Sequence, residues 1–448
     1  MSGDNSEKPI PNTRRLNYSK WSTAAIVLAF AALCTWIQYT IRIDFGPDEP
    51  YHLEYIHTIA FEQRLPEPAE THAVQHPPLY YGLMAVLWRA AGADQRPLSV
   101  TPGPDALPQL DDESVRARHV LRFASTLFGC LTLLLIARLL IVIGTPAAWR
   151  PWILLAAAAG PMLQYVSSVV NNEGWSILYS TAVCLAIVKI VKSNTITMRQ
   201  AAAFGLLIGL ATWVKQTALF AAPIALWVVW ATGLRDDRIR RTGVFAFAAL
   251  SIGVWWPVHN RLVSGAWFPS YTRPPEQPDS PFAYVLQHPR EIIEWMRTIL
   301  ETSFLPNFSW AFIPRHVSTL VVVIGVVLIA VLYFASRTTV EQSEDRRLCA
   351  LAAAAVALIF GGIFQYTLFI DWRAQVGGRY LLNAISWVAV LAGLALPRLA
   401  RSAAGGRTSL PIYIPAAVAL FVLFDLRWWY LVGTYYADLA QKIIGAGG

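Results

Sequence analysis

Stretches of about twenty consecutive apolar residues recur along the whole chain, and no other feature restricts its fold as strongly. A helix of that length crosses the hydrocarbon core of a bilayer, which is about 30 Å thick. The chain has 448 residues, of which 55% are hydrophobic and only 14% are charged. A soluble globule needs more polar surface than this composition provides. The sequence therefore predicts an all-α polytopic membrane protein.

The number of spans depends on one short apolar stretch, 79–91, which follows His76-Pro77-Pro78. Its roughly 13 residues fit an interfacial or re-entrant helix better than a span. The other apolar runs lie near 22–41, 119–141, 152–170, 174–192, 200–214, 217–234, 242–258, 317–336, 348–369, 379–397 and 409–427. Without 79–91 they give about 11 transmembrane helices.

Basic residues in the short loops decide between the two topologies. If 79–91 does not span and the N-terminus is cytoplasmic, all the basic clusters face the cytoplasm, whereas a spanning 79–91 would move them outside. The clusters lie in 138–150, 189–199, 235–241, 337–347 and 398–407. We therefore expect a cytoplasmic N-terminus and, for the same reason, interpret the net charge of +8 as anchoring in an anionic lipid bilayer rather than as binding of nucleic acid.

This topology divides the chain into four parts. A cytoplasmic tail, 1–21, precedes a membrane module, 22–258, which includes a long first outer loop, 42–118. A second outer loop, 259–316, leads to a C-terminal membrane module, 317–448. Loops of this length are usually functional or disordered, and the first contains helix-like patterns, so we expect it to be mostly ordered and the site to lie outside the membrane.

The first outer loop opens with a pair of carboxylates, Asp48 and Glu49, between Pro47 and Pro50. Pro50 suits the first turn of a helix, which places one carboxylate at the helix cap. His52 lies one helical turn after Asp48. Two interpretations stay open, a cap on an interfacial helix and a general base that deprotonates a sugar hydroxyl.

Four further charged residues are site candidates, each with a plainer alternative. Glu173 follows two asparagines between spans, where it either caps a helix or faces the cavity of Asp48 to orient an acceptor or hold a divalent cation. Lys215 lies amid apolar flanks and Arg379 opens a span after two glycines. Both are either interfacial cations or ligands of a lipid phosphate. Arg261 is a weaker phosphate ligand or a solvated loop charge, and His76 is a metal ligand, an acceptor-site donor or a structural residue.

The pair Asp48-Glu49 with His52, followed by the His-Pro-Pro-Leu-Tyr-Tyr of 76–81, resembles the GT-C superfamily of membrane glycosyltransferases. Its members include protein O-mannosyltransferases and the aminoarabinose transferase of lipid A. The order of a span, an acidic loop with two juxtamembrane helices, two spans and a second acidic mouth is also similar. Lys215 and the Gly-Gly-Arg-Tyr of 377–380 look like later landmarks of a bacterial branch.

The resemblance implies a GT-C fold, a bacterial inner membrane location and an extracytoplasmic site. It implies that Asp48, or alternatively Glu49, is the catalytic base, and that the donor is a polyprenyl-phosphate-linked sugar. We expect the acceptor to be a hydroxyl of an envelope lipid, glycan or protein, and a direct displacement would invert the anomeric centre. His52, His76 and Tyr80 are acceptor-side or structural residues. Glu173 stands where the family often has Asp, which leaves its role and any divalent metal open.

Two other classes of function compete with an enzyme. A lipid or glycan transporter also combines an outer carboxylate with buried cations, although the sequence shows no inverted repeat. A non-catalytic envelope-assembly subunit would use Asp48-Glu49 only as a cap. The enzyme requires Asp48, Glu173, Lys215 and Arg379 to line one cavity, whereas a scaffold leaves them scattered.

Overall fold

The computed structural model describes residues 12–41, 43, 46, 48–67, 70–92, 112–267, 280–304, 333–334, 343–369, 378–403 and 413–446. These residues form helices joined by turns and contain no strand. Seven helices in the described part of the chain are long and apolar enough to cross a bilayer. The prediction of an all-α polytopic membrane protein is confirmed.

The helices are numbered in chain order. Those of the first half are α1 (Asn12–Thr40), α2 (Glu49–His57), α3 (Pro78–Ala90), α4 (Asp112–Val142), α5 (Arg150–Ala158), α6 (Pro161–Val166), α7 (Glu173–Ser193), α8 (Met198–Gly209) and α9 (Ala211–Val214). Those of the second half are α10 (Ala222–Ala231), α11 (Arg238–Gly253), α12 (Trp255–Ser264), α13 (Pro281–Gln287), α14 (Pro289–Phe304), α15 (Ser343–Phe369), α16 (Ile385–Ala403) and α17 (Tyr413–Ala446). Short 3-10 segments cover His72–Gln75, Gln216–Ala221 and Gly378–Ala384.

Several predicted spans differ in detail from these helices. The run 152–170 is broken at Gly160 and Pro161 into α5 and α6, because proline offers no backbone N–H to continue a helix. Helix α1 begins at Asn12, inside the predicted tail, and the second outer loop contains α13 and α14. The run 317–336 lies almost wholly outside the described residues. The total of 11 spans and the four-part division remain predictions.

Helix α3 does not need to cross the membrane. Arg122, in the first third of α4, donates hydrogen bonds to the carbonyl oxygens of Gln38 and Ile41, at 2.6 and 2.7 Å. The end of α1 and the beginning of α4 therefore lie at the same side of the bundle. Helix α3 stands between them with 13 residues, or about 20 Å of helix, which is short of the bilayer core. This geometry supports the predicted non-spanning helix at 79–91.

Helix α7 separates two charged clusters. Glu173 is its first residue and Lys192 lies in its last turn, so about 30 Å separates them. Lys192 and Arg398 both bind the buried Asp345, at 2.6 and 2.8 Å. The described parts of three basic clusters, 189–199, 343–347 and 398–403, thus lie at one side of the bundle, opposite Glu173. Which side faces the cytoplasm remains a prediction.

Helices α8 and α11 cross at very close range. A Cβ atom added at Gly205 would lie 2.3 Å from the carbonyl oxygen of Phe245, and one at Gly209 would lie 2.4 Å from that of Ala249. Glycines four residues apart let helix backbones approach in a membrane. This contact fixes α8, and the chain that follows α8 carries Lys215.

Candidate active site

Asp48 immediately precedes α2 but does not cap it. Its backbone is left-handed, with φ 61° and ψ 2°, and its side chain makes no capping hydrogen bond. Aspartate tolerates this conformation better than most residues, yet such backbones concentrate at functional sites. The cap interpretation of Asp48 therefore lacks its defining contact.

The carboxylate of Asp48 instead accepts a hydrogen bond from the guanidinium of Arg379, far away in sequence. The Asp48 side chain is 48% exposed and that of Arg379 is 16% exposed. Burial acts to raise the pKa of Asp48, but the charge and hydrogen bond of Arg379 outweigh it and lower the pKa to about 2. Asp48 is therefore an ionised group at an accessible surface of the site.

Glu49 serves a different purpose from its neighbour. It is buried and accepts two hydrogen bonds from Arg122, at 2.8 and 2.6 Å. The backbone N–H groups of Val170 and Gly46 donate to it as well, at 2.9 and 3.2 Å. Through these hydrogen bonds Glu49 attaches the start of the first outer loop to α4 and to the turn before α7.

Lys215 lies in a break between helices. Helix α9 ends at Val214, Lys215 itself is extended, and a 3-10 segment follows. The side chain is buried, so it does not reach out to the interface. Its ammonium donates to Asn172 Oδ1 at 2.8 Å and to Glu173 Oε1, and lies 4.5 Å from the ring centroid of Tyr380.

Glu173 connects the two cations of the site. The same Oε1 atom that binds Lys215 lies 3.5 Å from Nε of Arg379. The cap of α7 is supplied by Asn171, whose Oδ1 accepts from the backbone N–H of Glu173 at 2.8 Å. Glu173 is at the helix start, but its carboxylate faces the charged cluster. Among the described residues its buried Oε2 atom has no hydrogen-bond partner.

Asp48, Arg379, Glu173 and Lys215 therefore form one continuous charged cluster. The four residues are brought together, as the enzyme hypothesis requires, and are not scattered as the scaffold hypothesis predicted. Arg261 is not part of it: the residue is exposed at the end of α12 and donates to the carbonyl of Gly265. Within the described part of the chain, Arg261 makes no contact with the cluster, so it is a poor candidate for the same phosphate.

Aromatic and histidine side chains of the first outer loop pack together beside the cluster. Nδ1 of His52 lies 2.7 Å from the hydroxyl of Tyr81, and the His52 ring stacks on His76 with centroids 5.8 Å apart. Burial lowers the pKa of His52 to about 3 and that of His76 well below its usual value. Both imidazoles are therefore neutral at physiological pH. Tyr80 is fully buried against Tyr81, which indicates a structural role.

The side chains of the described residues do not assemble a divalent metal site. No group of three or more His, Cys, Asp or Glu side chains converges in the described residues. Asp48 and Glu173 are each paired with a cation, which a divalent metal would have to displace.

Asn383 is a residue of the site region that the sequence did not indicate. Its Oδ1 atom accepts from the hydroxyls of Ser176 and Ser180 on α7, at 2.9 and 2.8 Å. Its Nδ2 atom donates to the carbonyl of Tyr380 at 2.9 Å. Asn383 thus ties the 3-10 segment that carries Arg379 to the helix that begins at Glu173.

Three other partners were also missed, Asn172, Tyr380 and Arg122. The signal for Arg122 was available, because an arginine at the edge of an apolar run needs a buried partner. The contacts of Asn172 and Tyr380 follow only from the tertiary structure.

A family model described as predicted membrane protein (DUF2142) matches residues 119–387, which is more than half of the chain. The chain belongs to the DUF2142 family. The matched part of this DUF2142 protein contains Glu173, Lys215 and Arg379 but not Asp48. No curated protein sequence matches the chain.

Solved structures of ArnT share its fold. ArnT from Cupriavidus metallidurans in the apo state has a TM-score of 0.51 at 14% identity, with 95% of this chain and 76% of ArnT covered. ArnT bound to undecaprenyl phosphate gives 0.50 at 15% identity, covering 94% and 75%. The oligosaccharyltransferase AglB from Archaeoglobus fulgidus gives 0.45 at 15% identity, covering 94% and 56%. ArnT is a GT-C glycosyltransferase, so the predicted GT-C fold is confirmed for this DUF2142 chain.

Proposed function

We propose that this protein is a membrane glycosyltransferase that moves a sugar from a polyprenyl-phosphate donor to a hydroxyl acceptor. The observation that carries the proposal is the cluster of Asp48, Arg379, Glu173 and Lys215, formed from four separate parts of the chain within a GT-C fold. It combines an accessible carboxylate with two cations, which is what base catalysis and departure of a phosphate require.

The proposed reaction is a direct displacement. Asp48 takes the proton of the acceptor hydroxyl while the oxygen attacks the anomeric carbon. The bond between that carbon and the phosphate oxygen breaks, and its electron pair leaves with the polyprenyl phosphate. Arg379 and Lys215 stabilise the leaving charge, and Glu173 holds both cations in place. The attack comes from the face opposite the phosphate, so the anomeric configuration inverts.

The lipid nature of the donor is supported by the setting of the site. The cluster lies at the end of spans α7 and α16 rather than in a soluble domain. The solved ArnT structure with undecaprenyl phosphate is a protein of the same fold bound to such a lipid. The acceptor is proposed to be a lipid, glycan or protein hydroxyl of the bacterial cell envelope.

The proposed location is the bacterial inner membrane, with the N-terminus in the cytoplasm and the cluster outside. The basic residues around Lys192, Asp345 and Arg398 then face the cytoplasm, in agreement with the positive-inside rule. Single cysteines placed beside Asp48 and beside Lys192, in a variant that lacks the four native cysteines, test this with an impermeant maleimide. Labelling of the Lys192 side alone in intact cells contradicts the proposal.

The activity is tested with purified protein in nanodiscs, a panel of undecaprenyl-phosphate sugars and a bacterial envelope extract that supplies the acceptor hydroxyl. Wild-type protein should release undecaprenyl phosphate from at least one donor, and Asp48→Asn should release less than about one hundredth as much. Glu62→Gln, an exposed carboxylate of the same loop, is the matched control and should keep full activity. Full activity of Asp48→Asn removes Asp48 from the mechanism.

A further inference from the structure

Both cations of the cluster already have carboxylate partners. Lys215 binds Glu173, and Arg379 binds Asp48. The histidines beside them are neutral, because burial lowers the pKa of His52 and His76. A phosphate that enters the cluster therefore meets no unpaired positive charge among these residues, and it must displace one of the carboxylates.

The two ion pairs differ in how easily they open. The side chains of Lys215 and Glu173 are 4% and 2% exposed, whereas those of Arg379 and Asp48 are 16% and 48% exposed. Opening a buried pair leaves two charges without compensation, which is strongly unfavourable. An exposed pair contributes little and its carboxylate can be hydrated as it leaves. The Asp48–Arg379 pair is therefore the one that yields.

We propose that the phosphate of the donor displaces Asp48 from Arg379, so that donor binding itself frees the base for the acceptor. This inference rests on the proposed function and adds an order to it, with the donor bound before the acceptor is deprotonated. A phosphate presents two oxygens to the guanidinium fork as a carboxylate does, but with more charge.

The displacement also changes Asp48 chemically. Paired with Arg379, the carboxylate has a pKa of about 2 and is a weak base. Once Arg379 is occupied by phosphate, the pKa should rise toward the ordinary value of about 4 or above. Other groups that act on Asp48 are His52 and His76, both neutral. Without a donor, the base stays paired and inactive.

The test is the affinity for undecaprenyl phosphate, which needs no knowledge of the sugar. Asp48→Asn removes the competing charge, so the variant should bind undecaprenyl phosphate about tenfold more tightly than wild type, although it cannot transfer sugar. Arg379→Gln should bind more weakly than wild type. Equal or weaker binding by Asp48→Asn overturns the inference. Asp48→Gly is the second variant, because glycine adopts the left-handed backbone without strain.

Two further ligands separate the head group from the lipid. Inorganic phosphate should gain affinity in Asp48→Asn as the lipid phosphate does, whereas undecaprenol should not. A gain for undecaprenol as large as for undecaprenyl phosphate overturns the inference, because the variant would then act on the lipid groove. A gain for inorganic phosphate without one for the lipid overturns it too. If neither wild type nor Asp48→Asn binds undecaprenyl phosphate, the proposed function itself fails.

Discussion

The carboxylates of Asp48 and Glu49 adjoin in sequence but have separate partners: Arg379 binds the first, and Arg122 binds the second. The left-handed backbone at Asp48 accompanies this divergence, with one side chain toward the charged cluster and the other into the protein. One carboxylate is about half exposed and the other is fully buried. The pair therefore separates a chemical role from a structural role across a single peptide bond.

This separation predicts that two matched substitutions change the free energy of unfolding by unequal amounts. Glu49→Gln leaves the buried Arg122 without its counter-charge, so it should lower the free energy of unfolding by about 3–5 kcal/mol. Asp48→Asn breaks a partly exposed pair and should change it by no more than about 1 kcal/mol. Denaturant titration of both variants in detergent provides the comparison. Greater destabilisation by Asp48→Asn would contradict this assignment of roles.

The contrast between Asp48 and Glu49 also shows which features of the fold and the site could be predicted from the sequence. The lengths of the apolar runs and the charges of the loops predicted the membrane fold. The residues around Asp48 carried the resemblance to the GT-C superfamily. The sequence could not separate Asp48 from Glu49, because adjacent carboxylates have identical local signals and differ only through partners more than 70 residues away. Arg261 stayed among the phosphate-ligand candidates, as a weaker one than Arg379, because the sequence does not show which arginine reaches the cluster. Asn383 gave no signal, since a buried amide is recognised only by its hydrogen bonds.

The three hydrogen bonds of Asn383 predict a positioning role. Asn383→Ala should release the segment that carries Arg379 from α7 and raise the KM for the donor about tenfold, with a smaller effect on kcat. Ser176→Ala with Ser180→Ala removes the same contact from the other side and should reproduce the defect. The triple variant should be no worse than either, because the substitutions act on one contact. Additive losses would indicate that these residues act independently.

Stability should depend on pH through His52. Its pKa is about 3 in the folded protein and about 6.5 when unfolded, so the unfolded state alone takes up a proton between these values. Folding stability is complete well above pH 6.5 and falls as the pH decreases through 6.5, by about 1 kcal/mol between pH 6.5 and 5.5. His52→Asn should flatten this slope in thermal unfolding from pH 7 to 5. Part of the slope should persist, because burial lowers the pKa of His76 as well. Nearby charges also act on the pKa of His52: Asp48 and Glu49 raise it, and Arg379 and Lys215 lower it.

The close crossing of α8 and α11 predicts unequal effects at two glycines. Gly205→Ala places a methyl group against the backbone of Phe245 and should destabilise the protein by about 1–3 kcal/mol. Gly243→Ala, on the facing helix, meets nothing within 4 Å and should be neutral or slightly stabilising. Thermal unfolding of the two variants measures the difference. Equal melting temperatures would mean that the helices can move apart freely.

The thirteen residues of α3 have an effect far beyond their own packing. A non-spanning α3, which its length predicts, leaves the chain on the face it came from and so sets the inside-or-outside parity of each span that follows. A chain in which α3 grew by two turns and crossed would carry Glu173, Lys215 and Arg379 on the opposite face from Asp48, and the four could never meet. The shortness of one helix is therefore a condition for the cluster to exist.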